Sequence, residues 1–327
     1  MRVLVTGGAG FTGKALVRRM LDAGHEVVAL DNKEGYRSDE IRSWGARFVL
    51  GSVTDAETVR RCVEGADVVH HVAAAFREMN VPRSYYRDVN VEGTRIVLQA
   101  SLDAHVRKLV YCSTCGVHGH VEHPPAGEDA PIRPADYYQQ TKYDAEALVL
   151  DFCRRGLKST ILRPAAIFGP GDPGRFRMIF RQVSRGWFPM FGDGRTLYHP
   201  LYIDNLLDAF EIAMREDVGN SAAYLIADQA YLRIEDLVRA VARAMARSVR
   251  IVHLPVWPVV AAGHVVEKLC TPLGIAPPIH PRRVDWYRQT RAFDTGKASR
   301  ELGFVARVSL DEGLRRAFEW YRREGLV

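Results

Sequence analysis

Cysteine is scarce in this chain, at five residues in 327: Cys62, Cys112, Cys115, Cys153 and Cys270. An odd number with no short-range framework argues against a disulfide-stapled secreted domain and suits a reducing compartment. Cys112 and Cys115 stand as C-x-x-C at a predicted strand end, but no second ligand pair accompanies them, so neither zinc nor redox chemistry is expected there. Long apolar runs are missing as well. The stretch Val256 to Val266 is too short to cross a bilayer and holds Pro258 and Gly263, so a buried helix is expected and no integral membrane segment. No signal peptide is visible, because Met1-Arg2 leads straight into a strand and a glycine turn, and a cytoplasmic location is expected. Blocks of one charge are absent too. The net charge is +6, from 45 Lys and Arg against 39 Asp and Glu, but the basic residues are scattered and imply no nucleic-acid partner.

What is present fits a soluble enzyme of roughly one and a half to two domains. Arg2 to Thr6 is a short apolar strand, followed by Gly7-Gly8-Ala9-Gly10-Phe11-Thr12-Gly13 and a helical pattern from Lys14 to Ala23. In such a strand–turn–helix, Gly7 permits the tight turn, Gly10 admits a pyrophosphate close to the backbone, and Gly13 lets helix and strand pack closely. The helix N-terminus offers free N–H groups to phosphate. The second strand, His25 to Leu30, ends at Asp31, where a carboxylate accepts hydrogen bonds from an adenosine ribose and repels a 2′-phosphate. NAD is therefore expected rather than NADP, although Lys33 and Arg37 follow closely. Further strands are read at Arg47 to Leu50, Asp67 to Val72, Lys108 to Ser113 and Ser159 to Leu162. Helices are read near Ala56 to Glu64, Arg83 to Ala104 and Tyr137 to Arg155. This alternation predicts an α/β fold with a doubly wound parallel sheet, whose ligands bind beyond the carboxyl ends of the strands.

The reaction centre is expected at Tyr138 and Lys142. Four residues apart on a helix, they present a phenol and an ammonium to one region of space. A free phenol, with a pKa of about 10, is a poor base at neutral pH, and a neighbouring ammonium favours the phenolate. Thr114 supplies a hydroxyl to hold a substrate oxygen in line. His118, His120 and His123 lie in a loop before Pro124-Pro125 with no helix to hold two ligands on one face, so no metal is expected. His118, close to Thr114, is read as a substrate contact. Leu310 to Arg323 is an amphipathic helix, with Leu314, Phe318 and Tyr321 at helical spacing.

TGGAGFTG at Thr6 to Gly13, Asn90-Val91-Glu92-Gly93-Thr94, CSTCGVHG at Cys112 to Gly119, Tyr138-x-x-x-Lys142 and RPAAIFGPGD at Arg163 to Asp172 together resemble the extended short-chain dehydrogenase/reductase family. The likeness extends to YIDNLLDA at Tyr202 to Ala209 and DTGKASRELGF at Asp294 to Phe304. It implies a Rossmann domain over 1–170, to which 199–228 returns, a substrate-binding domain from 171–198 and 229–327, and a homodimer built from two helices of each subunit. By position, Thr114, Tyr138 and Lys142 match the catalytic residues, with Lys142 also on the nicotinamide ribose. The implied NAD site comprises Gly7, Gly10, Phe11, Thr12, Gly13, Asp31, Asn32, Ser52, Val53, Ala73, Ala74, Asn90, Tyr138, Lys142 and Pro164. Ser52 replaces an aspartate that many relatives place on adenine. Tyr137 is assigned to structure.

Nucleotide-sugar members of that family usually carry R-x-x-N-V-Y-G-P and, later, an arginine that helps hold the diphosphate. Here Ala166 replaces the asparagine, and Tyr198-His199-Pro200 replaces Arg-Asp-Phe. RPAAIFGPGD and the stretch Val252 to Pro278 instead resemble the 3β-hydroxysteroid dehydrogenase-like and dihydroflavonol reductase-like branch. The expected activity is NAD-dependent hydride transfer to or from a largely apolar, steroid-like secondary alcohol or ketone, with His118, Phe168, Met178 and Trp187 toward the substrate. A nucleotide-sugar epimerase or dehydratase is the alternative, and a non-catalytic NAD sensor the third reading.

Overall fold

The computed structural model describes residues 1–34, 36–76, 78, 81–258 and 285–327. The first part alternates strands and helices: β1 (Arg2–Thr6), α1 (Phe11–Asp22), β2 (Glu26–Asp31), α2 (Tyr36–Ser43), β3 (Arg47–Leu50), α3 (Ala56–Val63), β4 (Val68–His71), α4 (Arg83–Arg87), α5 (Gly93–Asp103), β5 (Lys108–Cys112), α6 (Tyr137–Arg154) and β6 (Ser159–Pro164). There follow β7 (Ala166–Phe168), α7 (Arg175–Val183), β8 (Trp187–Phe191), β9 (Leu197–Tyr198), β10 (Pro200–Tyr202), α8 (Ile203–Ala213) and β11 (Ala222–Ile226). The remaining described elements include β12 (Leu232–Arg233), α9 (Ile234–Ala244), β13 (Arg250–Leu254) and the last helix, Leu310–Arg323.

Seven parallel strands form one sheet in the order β11-β6-β5-β4-β1-β2-β3. Successive side chains of β1 enter opposite layers: Val3 and Val5 join one apolar core and Leu4 the other. Both faces of the sheet are thus covered, as a parallel sheet requires. The strand order reverses between β1 and β4, so a crevice opens at the carboxyl ends of those two strands. Arg19 of α1 reaches Asp208 and Glu211 of α8, both at 2.7 Å, and ties the glycine-loop helix to the later part of the chain.

The expected helix from Arg83 to Ala104 is one continuous path with a widened turn inside it. Asp88–Glu92 has π-helical bonding between α4 and α5. Asn90 explains the bulge, because its buried amide bonds outward: Oδ1 accepts from Ala75 N at 2.7 Å, and Nδ2 donates to Ala75 O at 3.2 Å and Thr141 Oγ1 at 2.9 Å. Gly93 follows, where a Cβ would press on Val53 at 2.7 Å. In the last helix Leu314 and Tyr321 are buried, and Phe318 stacks on Phe180 of α7 at 6.0 Å. The stretch expected to form a buried helix, Val256 to Val266, lies outside the described residues from 259 onward, as do residues 259–278 of the Val252 to Pro278 stretch. Among the described residues no helix is long and apolar enough to cross a membrane.

Candidate active site

The cradle at the switch point is built from missing side chains. Gly7 adopts φ +71°, a left-handed conformation, and a Cβ there would meet Ala73 N and Cα at 2.8 Å. At Gly13 a Cβ would overlap the Gly7 carbonyl oxygen. Gly8, which the sequence reading assigned no part, is equally constrained, since a Cβ would stand 2.8 Å from the Ala29 methyl of β2. Gly10 caps α1 without a side-chain acceptor, and the first turn holds no acidic residue, so its N–H groups and positive end are available to a pyrophosphate. Phe11 packs beneath Gly171. Asp31, at the end of β2, accepts from Ala9 N and Lys33 N, both at 2.9 Å, which aims its carboxylate along the loop. Lys33 pairs with Glu78 at 2.7 Å, so its charge is already countered. Ser52 bonds Thr54 at 2.8 Å, and Val53 is buried beneath Gly93. Pro164 pairs with Ile226 at the strand end.

A buried ladder fixes the floor of this crevice. Thr94 Oγ1 donates to Asn90 O at 2.7 Å and therefore accepts from His71 Nε2–H at 2.9 Å. His71 Nδ1 is left as acceptor for the Thr6 hydroxyl at 2.7 Å, and Thr6 Oγ1 in turn accepts from Ala73 N at 3.2 Å. In a neutral imidazole whose Nε2–H is given to Thr94, Nδ1 can only accept, which fixes the direction of the ladder. Burial, aided by the Lys142 charge, pushes His71 down to about 3. The ladder pins the ends of β1 and β4 to the bulged turn.

Helix α6 begins with a reciprocal cap. Asp136 accepts from Gln139 N at 2.8 Å, and Gln139 Oε1 accepts from Ala135 N at 2.7 Å. Tyr138 thereby sits in the first turn, half-buried, with its ring 4.8 Å from Phe76. Phe76, exposed after β4, was missed from the sequence; an aromatic directly after Ala73-Ala74-Ala75 was the available signal. One turn on, Lys142 is 1% exposed, with Nζ 4.2 Å from the centroid of the Tyr111 ring. Desolvation pushes this ammonium down to about 8, against the opposing influence of Cys112 and Glu146. Thr114 precedes a 3₁₀ turn, Cys115–His118, and its Oγ1 accepts from Gly116 N at 3.0 Å. That turn lies against α6: a Cβ at Gly116 would stand 3.1 Å from Gln139 and 3.2 Å from Thr114 Oγ1. The Thr114 hydroxyl and the first turn of α6 are therefore neighbours. Tyr137 packs with Tyr86 and Arg83 instead.

Another turn along α6, Glu146 forms a buried ion pair with Arg163, through Oε1–Nε at 3.0 Å and Oε2–Nη2 at 2.7 Å. Ser113 Oγ donates to Glu146 at 2.5 Å, and Arg163 Nη1 donates to His118 Nε2 at 3.1 Å. This revises the part given to His118, which is 2% exposed, committed to Arg163 and packed against Phe293. Phe168 is corrected likewise. It is fully buried, stacked on Phe176 at 4.2 Å and edge-on to Tyr202, so it builds the core rather than a substrate wall. Met178 and Trp187 stand exposed on α7 and β8. Burial pushes the thiols of Cys112 and Cys115 up to about 11, which leaves them inert. Among the described residues no three His, Cys, Asp or Glu side chains gather as a metal site.

Residues 3–227 match the NAD dependent epimerase/dehydratase family. The chain belongs to that family. Over 97% of this chain and 61% of the relative, it is 30% identical to 3beta-hydroxysteroid-dehydrogenase/decarboxylase isoform 2 of Arabidopsis thaliana. It is also 30% identical to the 2-alkyl-3-oxoalkanoate reductase of Stenotrophomonas maltophilia, over 97% of this chain and 98% of that one. The crystal structure of DesIV, a dTDP-glucose 4,6-dehydratase from Streptomyces venezuelae with NAD bound, superposes with a TM-score of 0.78 at 26% identity, covering all of both chains. The chain is thus an extended short-chain dehydrogenase/reductase whose cofactor is NAD. Asp31→Ala is expected to lower the NAD-to-NADP preference on the order of tenfold, because a charged hydrogen-bond acceptor and a repulsive charge are lost together. Titration of the mutant with both dinucleotides checks this. An unchanged ratio would remove Asp31 from the ribose site.

Proposed function

We propose that this enzyme transfers hydride between NAD and a largely apolar secondary alcohol or ketone. When bound, NAD supplies the acceptor or donor carbon for the hydride. Tyr138 Oη exchanges the proton with the substrate oxygen, the Thr114 hydroxyl holds that oxygen, and Lys142 binds the nicotinamide ribose and favours the phenolate. Residues 171–198 and 229–327 form the substrate-binding part. The working unit is a homodimer, with α5 and α6 side by side and Tyr143 and Leu150 of α6 facing outward.

The observation that carries the choice of substrate is His199. It occupies the segment where nucleotide-sugar relatives are expected to present charged groups, and it is committed to structure. Nδ1 accepts from Phe293 N at 3.3 Å, Nε2 donates to Asp228 O at 2.9 Å, and burial pushes the imidazole down to about 4, so it is neutral. The preceding Ala166 offers no polar side chain. A diphosphate needs clustered or bidentate donors, and these two positions provide none. The 2-alkyl-3-oxoalkanoate reductase points the same way.

A second reading, epimerisation or dehydration of a nucleotide sugar, is supported by Arg175. Its guanidinium lies over Tyr198 at 5.7 Å and Trp286 at 5.2 Å and could face an anion. Absorbance of NADH separates the two. Stoichiometric change with an apolar hydroxyl or keto substrate is expected, whereas conversion of a nucleotide sugar with no net change in NADH would overturn the proposal.

A further inference from the structure

Two segments that lie together concentrate arginine and contain no acid of their own, with Asp193 and Glu235 only at the far end of their strands, where Glu235 stands 3.4 Å from His253. Residues 173–192 contain Arg175, Arg177, Arg181 and Arg185 and no Asp or Glu, and residues 243–258 contain Arg243, Arg247 and Arg250 and again no acid. These segments meet. β8 and β13 pair in parallel from Trp187 beside Arg250, Arg250 N donates to Gly186 O at 3.0 Å, and Gln182 donates to Trp187 O at 3.2 Å. Among the described residues Arg247 reaches Ser184 O, at 2.7 Å, and Arg185 reaches Gln182, at 3.4 Å. Among the described residues, Arg181, Arg185, Arg247 and Arg250 have no carboxylate partner, unlike Arg239 and Arg243 of neighbouring α9. Large apolar side chains stand in solvent among them. α7 turns Phe176, Ile179, Phe180 and Val183 inward and leaves Met178 and Arg181 outward. Trp187 is 45% exposed, Leu254 37% and Trp257 74%.

Single exposed apolar residues need no explanation, but four interleaved with guanidiniums that have no carboxylate partner among the described residues do. The guanidiniums are well hydrated as they stand, but the apolar side chains among them are not. Tryptophan favours the boundary between headgroups and acyl chains, and arginine with its apolar stem favours the same depth. Among the described residues the excess of arginine over acid on these elements sets the sign of the surface that fits. We infer that the face formed by α7, β8 and β13 docks on an anionic phospholipid bilayer, with Trp187 and Trp257 entering the interface and Arg181, Arg185, Arg247 and Arg250 meeting phosphates. The nucleotide crevice lies on other elements, whereas α7, β8 and β13 belong to the part proposed to bind substrate, and vesicle binding is read independently of turnover.

Co-sedimentation of the full chain with vesicles of phosphatidylcholine, with or without phosphatidylglycerol, tests it. Binding is expected only to vesicles containing phosphatidylglycerol and is expected to weaken with added salt. An arginine is worth about fivefold in affinity at such a surface, so R181A with R185A is expected to weaken binding on the order of twentyfold. Trp257→Ser is expected to cost roughly tenfold. Arg60→Ala with Arg95→Ala, on α3 and α5, removes equal charge elsewhere and is expected to leave binding unchanged. Circular dichroism confirms that each variant folds. Absence of binding, equal binding to neutral vesicles, or equal loss in the Arg60 and Arg95 variant overturns the assignment. Retention on duplex nucleic acid as strong as on the anionic vesicles, and lost in the same variants, would show a general polyanion face and overturn it too.

Discussion

Tyr138→Phe is expected to keep NAD and lose between about a hundredfold and ten-thousandfold of turnover. The substitution deletes one oxygen. The ring that meets Phe76 at 4.8 Å remains, as does the cap of α6 through Asp136 and Gln139, so the loss of stability should stay within about 1 kcal/mol. With the glycine cradle and Asp31 on other elements untouched, affinity for the dinucleotide is expected to change little. The cost falls on the proton. A substrate alkoxide has no neighbouring acid of matched strength once the phenol is gone, because Thr114 is a much weaker acid and the thiols of Cys112 and Cys115 are buried and protonated. Calorimetric titration of NAD alongside single-turnover rates separates binding from chemistry. Near-normal turnover in the mutant would remove Tyr138 from its assigned part.

Much of the scaffold was legible because it is periodic. Strand–turn–helix units repeat, and glycine spacing marks where backbone approaches backbone, so the sheet and cradle follow from local pattern. Tyr138 and Lys142 were legible for the same reason, being one helical turn apart. Glu146, one turn further, continues that series, yet its partner Arg163 lies in β6, and no local pattern reports a pairing across the sheet. The Thr6, His71 and Thr94 ladder is hidden similarly, being assembled from two strands and a helix. The bulge at Asp88–Glu92 arises because Asn90 bonds to Ala75 and Thr141 rather than within its own helix, a tertiary demand that overrides propensity. Phe168 and His118 were misplaced because aromatic and imidazole side chains serve core and pocket alike. Burial decides between them, and burial is a property of the assembled chain.

Lys142→Met is expected to stabilise the protein while costing about a hundredfold or more in turnover. In the fold this ammonium is buried against the Tyr111 ring, and desolvation lowers it from 10.5 to about 8. Between those values the unfolded chain binds the proton and the native chain does not, so native stability rises with pH across that window; below pH 8 the full penalty of burying the charge is present. The difference of about 2.5 units corresponds to about 3 kcal/mol, and a methionine of similar length escapes it, for an expected gain of about 1–3 kcal/mol at neutral pH. Glu146 is not orphaned by the change, because Arg163 holds both its oxygens. A costly buried cation retained one turn from a phenol is what a site under functional demand contains, since stability and activity pull against each other there. Denaturant melts at pH 7 and pH 10 read the result. The mutant should start higher, and its lead over the wild type should shrink between the two pH values; the contribution of Lys108, which burial also lowers to about 8, is common to both proteins. A mutant less stable than wild type at pH 7 would show that the ammonium is held by favourable contacts rather than merely tolerated.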